Sequence, residues 1–280
     1  GTFKDPNVLG AFLILPAMLA LQCIVTDRMA KALKHLAIFA VIGLAVFLAF
    51  SRAAWGLLAG VSVAVLFLMM LTATTHKQRL RIVIIAAVAV AVLAAALTVI
   101  LSMESVSALF AERASFNQSY DSGRFGRFGR HILGAELALD VPLGIGPLQF
   151  GRFFPEDTHN SFLNAFMSGG WISGIAYPLM IAFSLVLGFQ AIRIRAPWQR
   201  GFLALFAAFA GTVGESFIID TDHWRHFFLM LGLVWGTAVA SREWKADADR
   251  RKQVPPRHHA FGEPAGSGSN SGAVSASARS

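Results

Sequence analysis

The sequence predicts an all-α fold, a polytopic membrane bundle of about seven spanning helices. Three observations carry that reading. Hydrophobic residues fill 55% of the 280 positions and charged residues only 14%, against about 25% charged in a typical soluble domain. The apolar residues gather in runs long enough to cross a bilayer, which takes about 20 residues of helix. The lysines and arginines punctuate those runs instead of clustering on one face. The formal net charge of +8 therefore does not indicate nucleic acid as a partner, because that footprint requires clustered basic residues.

The runs follow in order. Val8–Thr26 is uncharged and long enough to span. Leu36–Phe50 is shorter and strongly apolar, and Ala53–Thr75 and Ile82–Met103 are clear spans. Asn160–Ile192 is uncharged over too great a length for one perpendicular helix. Its first third leads into the bundle, and the span proper starts near Trp171. Gly201–Ile219 carries Glu215 near one end, and Phe227–Ser241 is the shortest candidate. Alanine and leucine are spread evenly along the runs, so no amphipathic stripe appears, as expected for helices surrounded by lipid and by one another.

Orientation follows from the basic residues, which favour the cytoplasmic side. Arg28, Lys31 and Lys34 fall in the link Asp27–His35, and Lys77, Arg79 and Arg81 in His76–Arg81. Arg193, Arg195 and Arg200 follow Ile192, and the tail carries Arg242, Lys245, Arg250, Arg251, Lys252 and Arg257. Seven alternating helices put all of these on one side. The opposite side receives Gly1–Asn7, the Ser51-Arg52 corner, a long loop at about 104–159, and Asp220–His226. The membrane domain thus covers 1–241. The tail, 242–280, becomes rich in Pro, Gly and Ser and reads as disordered and cytoplasmic. Cys23 stands alone, so no disulfide framework is possible. The chain starts at Gly1 without a signal peptide pattern and reads as the C-terminal part of a longer membrane protein.

The long outer loop is unusual for a helix bundle, because structureless loops beyond about 15 residues are uncommon unless functional or disordered. Its many phenylalanines are not a disordered composition. Arg130–Leu139 reads as a helix stopped at Asp140-Val141-Pro142, and PLGIGP supplies Gly144 and Gly146 for a tight turn. A partly helical cap over the outer face is expected.

Candidate chemistry gathers on that face. Arg124, Arg127 and Arg130 recur at every third residue, and guanidinium forks there suit a phosphate or pyrophosphate. A solvated loop or lipid-headgroup contact is the plainer alternative. Arg52 stands between two spans with almost no loop, a costly place that suggests function or simple snorkelling to the headgroups. His159, with Glu156 and Asp157 beside it, is suited to act as a general base. Alternatively, Thr158 or Asn160 caps a helix and His159 is incidental. Asp220-Thr221-Asp222-His223 contains a carboxylate pair of metal-binding type, but so short a pattern is weak. No P-loop, HExxH, paired CxxC or nucleophile elbow is present.

Taken in order, GTFKDPNVLGAFL, SRAAWGLL, PLGIGPLQF and THNSFLNAFMSGGWISG resemble the O-antigen ligase and Wzy-polymerase family of bacterial membrane proteins. The resemblance runs over Gly1 to Ser241. It implies a GT-C-like, multi-helix glycosyltransferase of the inner membrane, working at the periplasmic face. The donor it implies is a glycan on undecaprenyl diphosphate, and the acceptor is another glycan or lipid A–core. The family pattern matches Arg52 at the Ser-Arg turn. It matches Arg127 in the loop, with Arg124 or Arg130 also possible, and the pair His159-Asn160 ahead of Gly170. In that chemistry Arg52 and Arg127 stabilise the leaving diphosphate without a metal or other cofactor, and His159 is the base for the acceptor hydroxyl. Arg124, Arg130 and Asn160 are the implied substrate-binding residues.

The chain departs from the pattern in three places. The second glycine falls at Gly174 instead of Ser173, Ser168 stands where an acid is common, and His131 where an aromatic residue is usual. Two other classes of function are weighed against this one. A transporter or flippase of polysaccharide lipids favours charged or broken helices at mid-membrane, whereas these spans are nearly charge-free, with Pro16 and Pro178 inside them. A non-catalytic assembly component leaves the long loop unexplained.

Overall fold

A computed structural model of the chain describes residues 5–102, 123 and 125–253. Among the described residues there are eight α-helices, one 3-10 turn at Phe150–Arg152 and no strand. The helices are α1 Pro6–Thr26, α2 Met29–Leu48, α3 Arg52–Thr72, α4 His76–Leu101, α5 Arg127–Asp140, α6 Ser161–Ala191, α7 Gln199–Glu215 and α8 Arg225–Gln253. Four of them, α1, α2, α3 and α6, are long and apolar enough to cross a membrane. A helix of 21 residues, the length of α1 and α3, extends about 31 Å, which matches the hydrocarbon core of a bilayer. Of the remaining runs read as spans, α7 has 17 residues and α8 carries charges throughout its second half.

The core explains the arrangement. α1, α3 and α7 pack together, α8 closes on α7 and α6, and α4 lies outside α3. α7 is the buried helix of the set. Leu203, Ala204, Ala208 and Phe209 on it are at most 1% exposed. Outward-facing positions on α2, α3, α4 and α6 are large and apolar, among them Val41, Phe67, Val90, Ile172 and Leu179. An apolar exterior of this extent is what a lipid-facing bundle presents and what a soluble monomer avoids.

The two ends of the bundle differ. Thr26, Lys77, Arg81, Arg195, Arg200 and Trp244 line one cavity of about 570 Å³. The Arg81 guanidinium reaches over to donate to the carbonyls of Ile24 and Asp27. Segments that the sequence assigns to a common side therefore do meet at one end. At the other end, Ser51 caps α3 by accepting from the Ala54 amide and donates its own hydroxyl to Asn7 at the start of α1.

Two sequence expectations are corrected here. The link expected at Asp27–His35 shrinks to Asp27-Arg28, because Lys31, Lys34 and His35 already belong to α2. The tail expected to be disordered from 242 instead continues α8 to Gln253. Its Ala, Glu, Lys and Arg are good helix formers, Asp247–Arg250 and Asp249–Lys252 pair at i,i+3, and a basic last turn suits the negative helix end. Residues 254–280 lie outside the described residues.

Candidate functional site

The outer end is organised by a break in α6. Gly169 and Gly170 leave helical geometry, Gly170 with φ +68°, so the helix restarts at Trp171, where the sequence reading begins the span proper. The break severs a helical hydrogen bond, and the PLGIG turn replaces it. The Trp171 amide donates to the Pro142 carbonyl at 2.9 Å, and the Met167 carbonyl accepts from Ile145 at 2.7 Å. A Cβ on Gly170 would strike the backbone of Pro142 and Leu143, so this crossing requires glycine for space as well as for φ. The displaced second glycine also finds its reason. A Cβ on Gly174 would strike the Phe166 ring, and Ser173 donates to the Ala165 carbonyl. The first part of α6 thus folds back on the second over Gly174.

The start of α6 is knitted to the loop after α7. Asn160 caps α6, its side-chain oxygen accepting from the amides of Phe162 and Leu163 and its amide donating to the Phe217 carbonyl. The Ser161 hydroxyl donates to the Ile219 carbonyl and accepts from the Thr221 amide. These bonds bring His159 to Asp220, with Nδ1 3.3 Å from the carboxylate, while Glu156 stands 3.8 Å from Nε2. His159 adopts a left-handed backbone, φ +51°, as Phe50 and Leu148 also do, a conformation uncommon outside glycine but enriched for histidine.

α5 supplies the next residues. Arg130 is 2% exposed; its Nη1 lies 2.6 Å from the Glu156 carboxylate and donates to the Asp157 carbonyl at 3.0 Å. It therefore clamps the loop that carries His159. His131 lies against the backbone of Thr158 and His159. Burial pushes its pKa below the usual histidine range, opposed in part by the neighbouring carbonyls and assisted by Arg127. Asp222, bonded to Asn164, is pushed above the usual carboxylate range by burial and by Asp220.

Arg127 and Arg52 meet at a cavity of about 800 Å³, between the N-terminal ends of α1, α3 and α5 and the C-terminal end of α7. Asp5, Arg52, Arg127, Phe128, Glu215 and Ile219 are among its lining residues. Gly56, Gly60 and Gly214 keep it open, since a Cβ on any of them would meet nothing within 4 Å. Arginines at helix N-termini make an end of this kind favourable to anions.

Of the sequence candidates, Arg52 and Arg127 come together. His159 does not line the cavity; it lies beside Asp220, which follows the lining residue Ile219 in the chain. Arg130 and Asn160 are held in structural bonds at the same end. Arg124 lies outside the described residues. Glu215 carries more than the sequence reading gave it: it is 5% exposed, lines the cavity, and among the described residues neither carboxylate oxygen has a hydrogen-bond partner. Its signal was a lone acid in a long apolar run. Asp220 and His131 had no such signal, because their roles depend on segments far apart in the chain. Comparison with protein families, with curated proteins and with solved structures gives no match.

Proposed function

We propose that the chain is a GT-C-like glycosyltransferase of the bacterial inner membrane that acts on glycans carried by undecaprenyl diphosphate. It transfers them at the periplasmic face, either to another glycan, as a polymerase of O-antigen or exopolysaccharide, or to lipid A–core, as a ligase. On this reading the end holding Arg52 and Arg127 is periplasmic, the basic end and α8 terminus are cytoplasmic, and about seven helices span the bilayer.

The observation that carries the proposal is the meeting of Arg52 and Arg127, distant in sequence, on one open cavity at the end away from the basic links. Two guanidiniums fixed there suit the diphosphate of a lipid-embedded donor and the charge that develops on it as the glycosidic bond breaks. His159, oriented by Asp220, is the base that takes the proton of the acceptor hydroxyl.

Substitution tests it. Arg52→Ala and His159→Ala should abolish polymer or ligated glycan while the protein still inserts; normal glycan from both variants defeats the proposal. Deleting the protein separates the two activities. Single repeats on lipid A–core mark a lost polymerase, and full-length chains stranded on the carrier mark a lost ligase. Carrier-linked glycan that fails to reach the periplasm marks a flippase instead.

A further inference from the structure

We propose that Glu215 is the hydroxyl-binding group of the cavity, its carboxylate accepting hydrogen bonds from the sugar held next to the diphosphate. The inference rests on the function proposed above.

Glu215 is 5% exposed, and among the described residues neither of its oxygens has a hydrogen-bond partner. Buried carboxylates are costly unless donors satisfy them, and orphaned ones are rare in folded proteins. Two features of its position add to the cost. Glu215 is the last residue of α7, at the helix end that disfavours negative charge. Asp5, a second acid, lines the same cavity. Such a group is retained where a ligand supplies the donors.

The surroundings select the kind of ligand. Among the described residues, no group of three His, Cys, Asp or Glu side chains that could hold a divalent cation lies at the cavity. A neutral polyol needs no such group, and each hydroxyl is a donor for a carboxylate. The room exists as well. α3 and α7 approach closely at Gly211, where a Cβ would strike Val61, yet open at Gly56, Gly60 and Gly214 into the cavity. A cavity lined by both arginines and by Glu215 suits a ligand with an anionic part and a hydroxylated part.

The test is binding by the full chain in lipid nanodiscs. The two probes are undecaprenyl diphosphate and the same carrier bearing the repeat unit isolated from the producing cell. The wild-type protein should prefer the glycan-bearing carrier. Glu215→Ala should cut that preference about tenfold, as loss of a hydrogen bond to a charged group does, and leave the bare carrier unaffected. Glu215→Gln, which keeps one acceptor, should cut it less. Both variants should melt close to wild type, since among the described residues the carboxyl group has no hydrogen-bond partner to lose.

An unchanged preference in Glu215→Ala overturns the inference and leaves the proposed function standing. Equal weakening of both probes also overturns it, because Glu215 then only supports the cavity. A wild-type protein with no preference for the glycan has the same consequence. If wild type binds neither probe, the functional reading falls and this inference with it.

Discussion

His159 Nδ1 lies 3.3 Å from an Asp220 oxygen, joining the loop before α6 to the loop after α7. A carboxylate at that distance limits how the ring can turn, and Glu156 stands 3.8 Å from Nε2 on the other side. The consequence is graded. His159→Ala should reduce glycan transfer by about 100-fold or more, the usual contribution of a general base. Asp220→Asn should reduce it less, with the fall in kcat and little change in KM. Steady-state kinetics in proteoliposomes decide this, and an Asp220→Asn enzyme with wild-type kcat removes Asp220 from the mechanism.

Arg127 and Arg130 are one turn apart on α5 and face different tasks. Arg127 lines the cavity, whereas Arg130 is 2% exposed and clamps Glu156 and the Asp157 carbonyl. Arg130→Ala should therefore loosen the outer end by about 0.5–1.5 kcal/mol, the net worth of a hydrogen bond, because Glu156 and Asp157 are exposed and water replaces the guanidinium. On the proposed function, Arg127→Ala should lose transfer under conditions where the protein is still folded. Melting curves and activity measured side by side check the pair; a stable, inactive Arg130→Ala protein contradicts the assignment.

The glycines separate in the same way. Gly60 has nothing within 4 Å of a built Cβ and borders the cavity. Gly60→Leu should fold normally and obstruct the ligand, seen as weaker carrier binding at unchanged melting temperature. Gly170, at φ +68° and packed on Pro142, has no room for a side chain. Gly170→Ala should cost at least about 1 kcal/mol, the usual penalty for a side chain in a strained backbone conformation, and lower the melting temperature. A Gly170→Ala protein as stable as wild type would show that the turn does not depend on this contact.

His131 sets a pH dependence. Burial, the largest cause, lowers its folded pKa below the unfolded value of about 6.5. The unfolded chain then binds the proton more readily than the folded chain between those two values, so stability rises with pH across that window. Its contribution is complete above about pH 6.5 and declines as pH falls through the window. Melting temperatures from pH 5 to 8 should show this slope, and His131→Gln should flatten it. A slope identical in the variant places its origin elsewhere.

Much of this architecture is readable along the chain. Helical length, apolar content and the placement of basic links depend on nearest neighbours and on the bilayer thickness, so the all-helical bundle and its two ends follow from composition and spacing. The α8 extension was missed because its charged residues look like tail, although their i,i+3 pairing favours helix. The candidate arginines and histidine were visible as polar residues at membrane edges. Three-dimensional packing decided which of them share a space. Met167 exchanges its helical hydrogen bond for one to the PLGIG turn, and Asn160 and Ser161 are bonded to the loop after α7. Those long-range bonds bring Asp220 to His159, and helix packing places Glu215 on the same cavity as Arg52 and Arg127. No local pattern encodes such distances, because each depends on how separate helices satisfy the same backbone groups.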